Sequence, residues 1–454
     1  MRERGRLRIG ESLGEATALR KEVEAWRSCW DAVDTIGGHL SHVDLLCTVI
    51  FGLIDEITRR TEAIEPTIGA GTVYEECRRQ DLRLLHTRRL WRWYADKLDQ
   101  RTGPENSNEV RTLLAADEVI WSCWKAAFMT MGDPVPPAPI PYLAPVYSST
   151  ATPRADPPAG LRPGDDDLLR KHIEQLPVAA VPLPPVCCRR PWWIVLCAHE
   201  ASHHIQFETQ GLEELTQQRV VASAYSCAGD TELAEAWLPW SRELFADACS
   251  VLLVGSAAVW AVAELETRTD AGLRKSPSGG YPPPIIRLAV LREVADQTGI
   301  PVRDEMLAGF ISPAKEEEDD DRIRRLLACV PDVAAALTEI VPGQWARTLA
   351  KMTSGAYADG GTVSAWRSEL LGAHEPLPRQ GLDAARFCIA AAVDAWERFG
   401  HEDGLAERLA PRLRSILPRC REPGKRAAEV TVDAASVTRQ LVADLYIDHT
   451  ARSI

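Results

Sequence analysis

Pro191-Trp-Trp-Ile-Val-Leu-Cys-Ala-His199-Glu200-Ala-Ser-His203-His204-Ile-Gln-Phe207 is the stretch on which the reading of this chain turns. Pro191 suits a first helical turn, where its missing N–H would have no partner. No proline or glycine interrupts the turns that follow, and Gly211 suits the exit. On a helix His199 and His203 stand at i and i+4, so both imidazoles project the same way, about 6 Å apart at Cβ. Two Zn–N bonds of about 2.0–2.1 Å require that spacing. Glu200 then falls beside the metal rather than on it, where it can take a proton from water activated there. Trp192–Ala198 is apolar almost throughout, so the helix is expected to be buried. Two histidines and a glutamate buried on such a helix are costly unless something satisfies them. A hydrogen-bonded structural cluster of the same side chains is the alternative reading.

The third ligand separates the possibilities. A histidine in the same run would need glycine at position 206 and histidine at position 209. The chain has Gln206 and Thr209, which excludes that arrangement. A carboxylate from a later helix is the other common solution. Trp240-Ser-Arg-Glu243-Leu-Phe-Ala-Asp247-Ala-Cys-Ser places Glu243 and Asp247 at i and i+4 on an apolar helix. One of these acids can bind the metal. The other can accept the free ring N–H of a ligating histidine and fix its tautomer. Glu232 and Glu235 are fallback ligands in a less apolar stretch.

Outward from this core, the chain has 454 residues, with 52 Lys plus Arg against 65 Asp plus Glu, a formal charge of −13. Apolar residues are 45 % and charged residues 26 %, which excludes disorder over the whole chain. The acidic balance argues against a nucleic-acid or anionic-lipid partner. Cys77–Gln100 is rich in Arg and aromatic residues, but its interleaved acids read as an ordinary amphipathic helix. The longest uncharged apolar run, Ala248–Ala263, is too short for a bilayer span and reads as a buried core helix. The charged Met1–Arg8 has no apolar run behind it, so no export signal is expected. The 12 cysteines contain no Cys-x-x-Cys pair and are expected to be reduced thiols in a cytoplasmic protein.

The expected fold class is mainly α. Residues 1–132 form an N-terminal helical region and 133–164 a Pro-rich linker, with ten prolines between Pro134 and Pro163. Residues 165–310 form the core, 311–322 an acidic loop and 323–454 a C-terminal helical region. Val178–Val186, short, apolar and broken by proline, suggests an edge strand, the only strand or small sheet expected. Such an edge could pair with an extended peptide.

His-Glu-x-x-His followed by Glu-x-x-Ala-Asp resembles the gluzincin metallopeptidases. In detail it is similar to the family of prenyl-protein and heat-shock membrane endopeptidases. In that family Glu-x-x-Ala-Asp is followed by a Thr-His-Pro-Pro-x-x-x-Arg element. The match here is Gly280-Tyr281-Pro282-Pro283-Pro284-Ile-Ile-Arg287, with Tyr281 where the family usually has histidine. Gly255-Ser-Ala-Ala258 resembles the Gly-Pro-Ala step of soluble bacterial relatives. The likeness covers residues 191–292, and the family's membrane location is not carried over to a chain without a span. A second group, the radical-induced antitoxin-cleaving regulatory peptidases, shares His-Glu-x-x-His and a later Glu-x-x-Ala but lacks Pro-Pro-x-x-x-Arg.

The resemblance implies a zincin-like core in which His199, His203 and Glu243 hold one zinc ion. Glu200 would act as base and then acid, with Asp247 supporting a ligand. Tyr281, Arg287 and His204 are candidate oxyanion donors. Of these Tyr281 has the right phenol, Arg287 is expected to anchor the Pro-rich turn by pairing with an acid, and His204 reads as a structural neighbour. The expected function is zinc-dependent hydrolysis of peptide bonds in a protein or peptide substrate, with the helical arms engaging a regulatory protein partner. Two alternatives stay open: an inert helical regulatory or scaffold protein with a structural metal site, and an antitoxin- or repressor-cleaving regulatory peptidase.

Overall fold

A computed structural model of the chain describes residues 2–32, 39–66, 69–128, 137–144, 166–176, 178–266, 273–276, 279–307, 321–340, 349, 360–372, 374, 383–420 and 433–447. These are mainly helical, as expected. In chain order they form α1 (Arg2–Cys29), α2 (Leu40–Glu62), α3 (Ala70–Leu98), α4 (Asn108–Phe128), β1 (Ile140–Leu143), α5 (Asp166–Gln175), β2 (Ala180–Leu183), α6 (Val186–Arg189), α7 (Leu196–Glu208), α8 (Leu212–Ala228), α9 (Thr231–Glu235), α10 (Ser241–Val254), α11 (Ser256–Glu266), α12 (Pro284–Gln297), α13 (Asp321–Ala328), α14 (Val330–Thr338), α15 (Gly361–Leu371), α16 (Ala384–Phe399), α17 (Leu405–Ile416) and α18 (Ala434–Tyr446). No helix among the described residues is long and apolar enough to cross a membrane.

The chain divides into two compact units that are not consecutive in sequence. The first takes 1–105, 154–180 and 425–454; the second takes 106–153 and 181–424. Most of the acidic 311–322 segment lies outside the described residues, as does most of 133–164.

In the first unit α1, α2 and α3 pack on one another, α5 lies on α3 and α18 on α2. The apolar face of α2, from Val43 through Val49 and Ile50 to Ile57, is buried, as its near-3.6 spacing requires. A β-carbon on Gly52 would stand 2.5 Å from the Thr438 methyl, so the close approach of α18 needs glycine there. The Tyr446 ring is flanked by the guanidinium carbons of Arg60 at 3.7 Å and Arg83 at 4.1 Å. Between α3 and α5, His86 Nε2 meets His172 Nδ1 at 2.9 Å.

The second unit is built around α7, which packs along α10 and against α4. The Pro191 expectation is met with one difference. Pro191 opens a 3₁₀ turn, Pro191–Val195, and the α-helical part begins at Leu196. Such tighter turns are frequent at helix N-termini. They carry Trp192 onto Trp396, stacked at 4.3 Å, and Trp193 onto Trp260 at 4.9 Å. Beyond Thr209, Gly211 adopts φ 73°, a left-handed conformation for which glycine is the default residue. Ala248–Ala263 is a buried apolar stretch but not one helix. Gly255, at φ 66° and ψ −148°, breaks it into α10 and α11, a conformation essentially confined to glycine. The edge strand expected near Val178–Val186 is β2. Its partner is β1, inside the segment expected to be a linker, and the Ala144 amide donates to the Leu183 carbonyl at 2.9 Å.

The histidine pair of the first unit gives a pH test. Burial, aided by Arg89, holds His86 down to about 4. Burial, aided by His86 itself, holds His172 down to about 3. The folded pair therefore stays neutral while the unfolded chain takes up protons below pH 6.5, so its stability is complete above that pH and is lost as pH falls towards 4. Denaturant unfolding of this unit should weaken by about 1.4 kcal/mol per pH unit per histidine in that window. His172→Leu should flatten the slope, and an unchanged slope would refute the assignment.

Candidate metal centre

Three helices supply the site. α7 carries His199, Glu200 and His203, one helical turn apart for the two histidines. α10 carries Glu243 and Asp247 on the face packed against α7, and α12 brings in Arg287. Each helix is apolar around these positions, so the polar side chains are drawn inside with the core. All six are buried.

His199 Nε2 and His203 Nε2 lie 3.1 Å apart. Glu243 faces both, with Oε2 3.5 Å from His199 Nε2 and Oε1 3.5 Å from His203 Nε2. These three residues form a buried group that could hold a metal ion, their donor atoms lying within 4.8 Å of one another. Donors on adjacent corners of a tetrahedron at zinc distances are separated by about 3.3 Å. The residues therefore fit a divalent ion. Glu200 Oε2 is buried and meets no hydrogen-bond donor among the described residues, and Glu243 Oε2, though 3.5 Å from His199 Nε2, completes no hydrogen bond. An acceptor left in that state is costly, and a cation among the three donors would relieve Glu243. Glu232 and Glu235 are exposed and take no part.

Behind the group lies a chain of charges. His199 Nδ1 stands 3.0 Å from Asp247 Oδ1, which places that carboxylate where it could hold the ring of a ligating histidine. Arg287 grips Asp247 through two bonds, Nε to Oδ2 at 2.6 Å and Nη2 to Oδ1 at 2.9 Å. Its remaining Nη1 donates to Glu266 Oε1 at 2.9 Å. Arg287 therefore pairs with an acid, as expected, and the acid is the one that holds His199. Glu266, the last residue of α11, was not signalled by the sequence. Glu264 sits two positions away in the same run and is exposed, and nothing in the spacing distinguishes them.

The electrostatics follow from burial against these partners. Burial alone would lower His199, but contact with Asp247 and Glu243 pushes it up to about 10. Burial lowers His203 despite Glu243. Burial would raise Glu243 and Asp247, yet His199 and His203 hold the first below the carboxylate range and Arg287 the second. Glu200 has no such partner, and burial pushes it up to about 8. Tyr281 is partly exposed, its ring centroid 5.8 Å from the Arg287 guanidinium carbon. Burial and the Glu243 charge raise its pKa, so the phenol keeps its proton. His204 is buried in the same helix.

Beside His199 and Glu200 is a cavity of about 20 Å³, edged by Ser250 and Arg287 and floored by Val195, Ala258, Ala261 and Val262. That volume suffices for about one water molecule. The chain matches no family model, no curated protein and no solved structure.

Two substitutions probe this arrangement. Glu243→Ala should abolish stoichiometric zinc uptake, read by metal analysis after dialysis; full occupancy would move the third ligand elsewhere. Arg287→Met leaves Asp247 and Glu266 buried without their cation and should cost about 3–5 kcal/mol in denaturant unfolding.

Proposed function

We propose that the chain is a zinc-dependent hydrolase that cleaves peptide bonds, with His199, His203 and Glu243 as ligands. The observation that carries this is the convergence of two imidazoles and one carboxylate from two helices, with a buried Glu200 whose Oε2 has no hydrogen-bond partner next in sequence to a ligand. A purely structural site has no use for that carboxylate, and three protein ligands leave a fourth position free. Zinc bound there supplies a Lewis acid for the scissile carbonyl and lowers the pKa of water towards 7.

The chain's own residues do the rest. Asp247 fixes the ring orientation of His199 through Nδ1, and Arg287 holds Asp247 in place. Glu200, raised towards neutrality by burial, takes a proton from the attacking water and passes it to the leaving amine. Tyr281, protonated, offers a donor for the oxyanion as charge develops. The likeness of His-Glu-x-x-His, Glu-x-x-Ala-Asp and Pro-Pro-x-x-x-Arg to gluzincin peptidases supports the peptide as substrate, with a cytoplasmic location and a regulatory partner proposed on the same footing.

Close burial of the three ligands and the small cavity also favour a second reading, an inert helical scaffold with a structural metal. One experiment separates the two. Zinc-loaded protein and its Glu200→Gln variant are incubated with a mixed peptide library, with and without chelator. The peptidase reading expects chelator-sensitive cleavage that falls at least about a hundredfold in Glu200→Gln while zinc content is retained. Zinc retained by both proteins with no cleavage by either would establish the scaffold.

A further inference from the structure

The corner between α13 and α14 brings together two cysteines far apart in sequence. Cys227, on the last turn of α8, is exposed, and its thiol donates to the Ala328 carbonyl at 3.5 Å. Cys329, at the corner itself, is buried. Its thiol reaches the Ala224 carbonyl of α8 at 3.8 Å and the Arg325 carbonyl at 3.4 Å. Each sulfur therefore lies against the backbone beside the other, and the two thiols are within hydrogen-bonding reach.

The asymmetry of the pair matters chemically. Burial and the neighbouring Cys227 push the Cys329 thiol up to about 12, so it keeps its proton. Cys227 is the member that a solute can meet. Cys388 and Cys420 also touch, but both are buried in the core. Cys29 is exposed on α1, in the other unit.

We propose that Cys227 and Cys329 are a modification site: a dithiol that peroxide converts reversibly to a disulfide joining α8 to the α13–α14 corner. The Cys227 sulfur attacks hydrogen peroxide. An S–O bond forms, the O–O bond breaks, and one water leaves, giving the sulfenic acid. The Cys329 sulfur then attacks Cys227. The S–S bond forms, and the sulfenic oxygen departs as water with the Cys329 proton. In total the two thiols lose two electrons and two protons, and one peroxide becomes two waters. The link would fasten α8, which directly follows the histidine helix, to α14, which packs on the Arg287 helix. The inference is independent of the metal reading.

The test treats the full-length protein with hydrogen peroxide, blocks free thiols by alkylation, and maps peptides by mass spectrometry without reduction. The expected product is a crosslinked peptide pairing residues 227 and 329, released by dithiothreitol and absent from Cys227→Ser, which alters only an exposed side chain. Oxidised wild type should melt several degrees above the reduced protein, because the bridge constrains the unfolded chain. Cys227→Ser should show no such rise. Recovery of Cys227 as sulfinic acid, or joined to a second molecule, with Cys329 still free to alkylate after unfolding, would overturn the proposal.

Discussion

A buried arginine between two carboxylates holds the second unit's centre together. Arg287 lies among Asp247 and Glu266 with almost no access to water. Charges in that setting are tolerable only when each has a partner at good geometry. The two-pronged Arg287–Asp247 pair therefore ties α12 to α10, and the second oxygen contact of Asp247 reaches His199 on α7. Three helices from separate stretches of sequence are thus joined through one acid. The apolar contacts between α7 and α10 bring the helices together; the polar chain sets their rotation and height.

That rotation determines what the His199–His203–Glu243 group can do. Glu243 is one helical turn before Asp247, so anchoring Asp247 behind His199 also aims Glu243 at both rings. Glu200 is on the opposite footing. It shares the burial but not the hydrogen-bonded partners, and burial drives its pKa upward while Glu243 and Asp247 are held down. Two acids with divergent environments in one small space are what acid–base chemistry at neutral pH requires.

The parts legible in the sequence are those with local periodicity. His199 with His203, and Glu243 with Asp247, are each one turn apart on apolar helices, so their common faces follow from the helix repeat alone. The partnership of Arg287 with an acid was readable from the resemblance, but the identity of that acid was not. Glu266 escaped notice because its selection over Glu264 depends on how α11 is turned at Gly255. That break was itself hidden, since a single glycine within an apolar helix is often tolerated at about 1 kcal/mol. Strand β1 was obscured by Pro141, which suppresses an inner strand but is compatible with an edge. The division into two units could not be read at all, because it pairs α2 with α18 across most of the chain.

The interleaving carries a consequence for synthesis on the ribosome. Domains generally fold as units as they emerge. The first unit stays incomplete until α18 has been made, after every described helix of the second unit. Throughout that interval Gly52 and the α2 surface around it have no α18 to cover them. Helices α1, α2 and α3 are thus finished only once the 13 residues of α18 have been added.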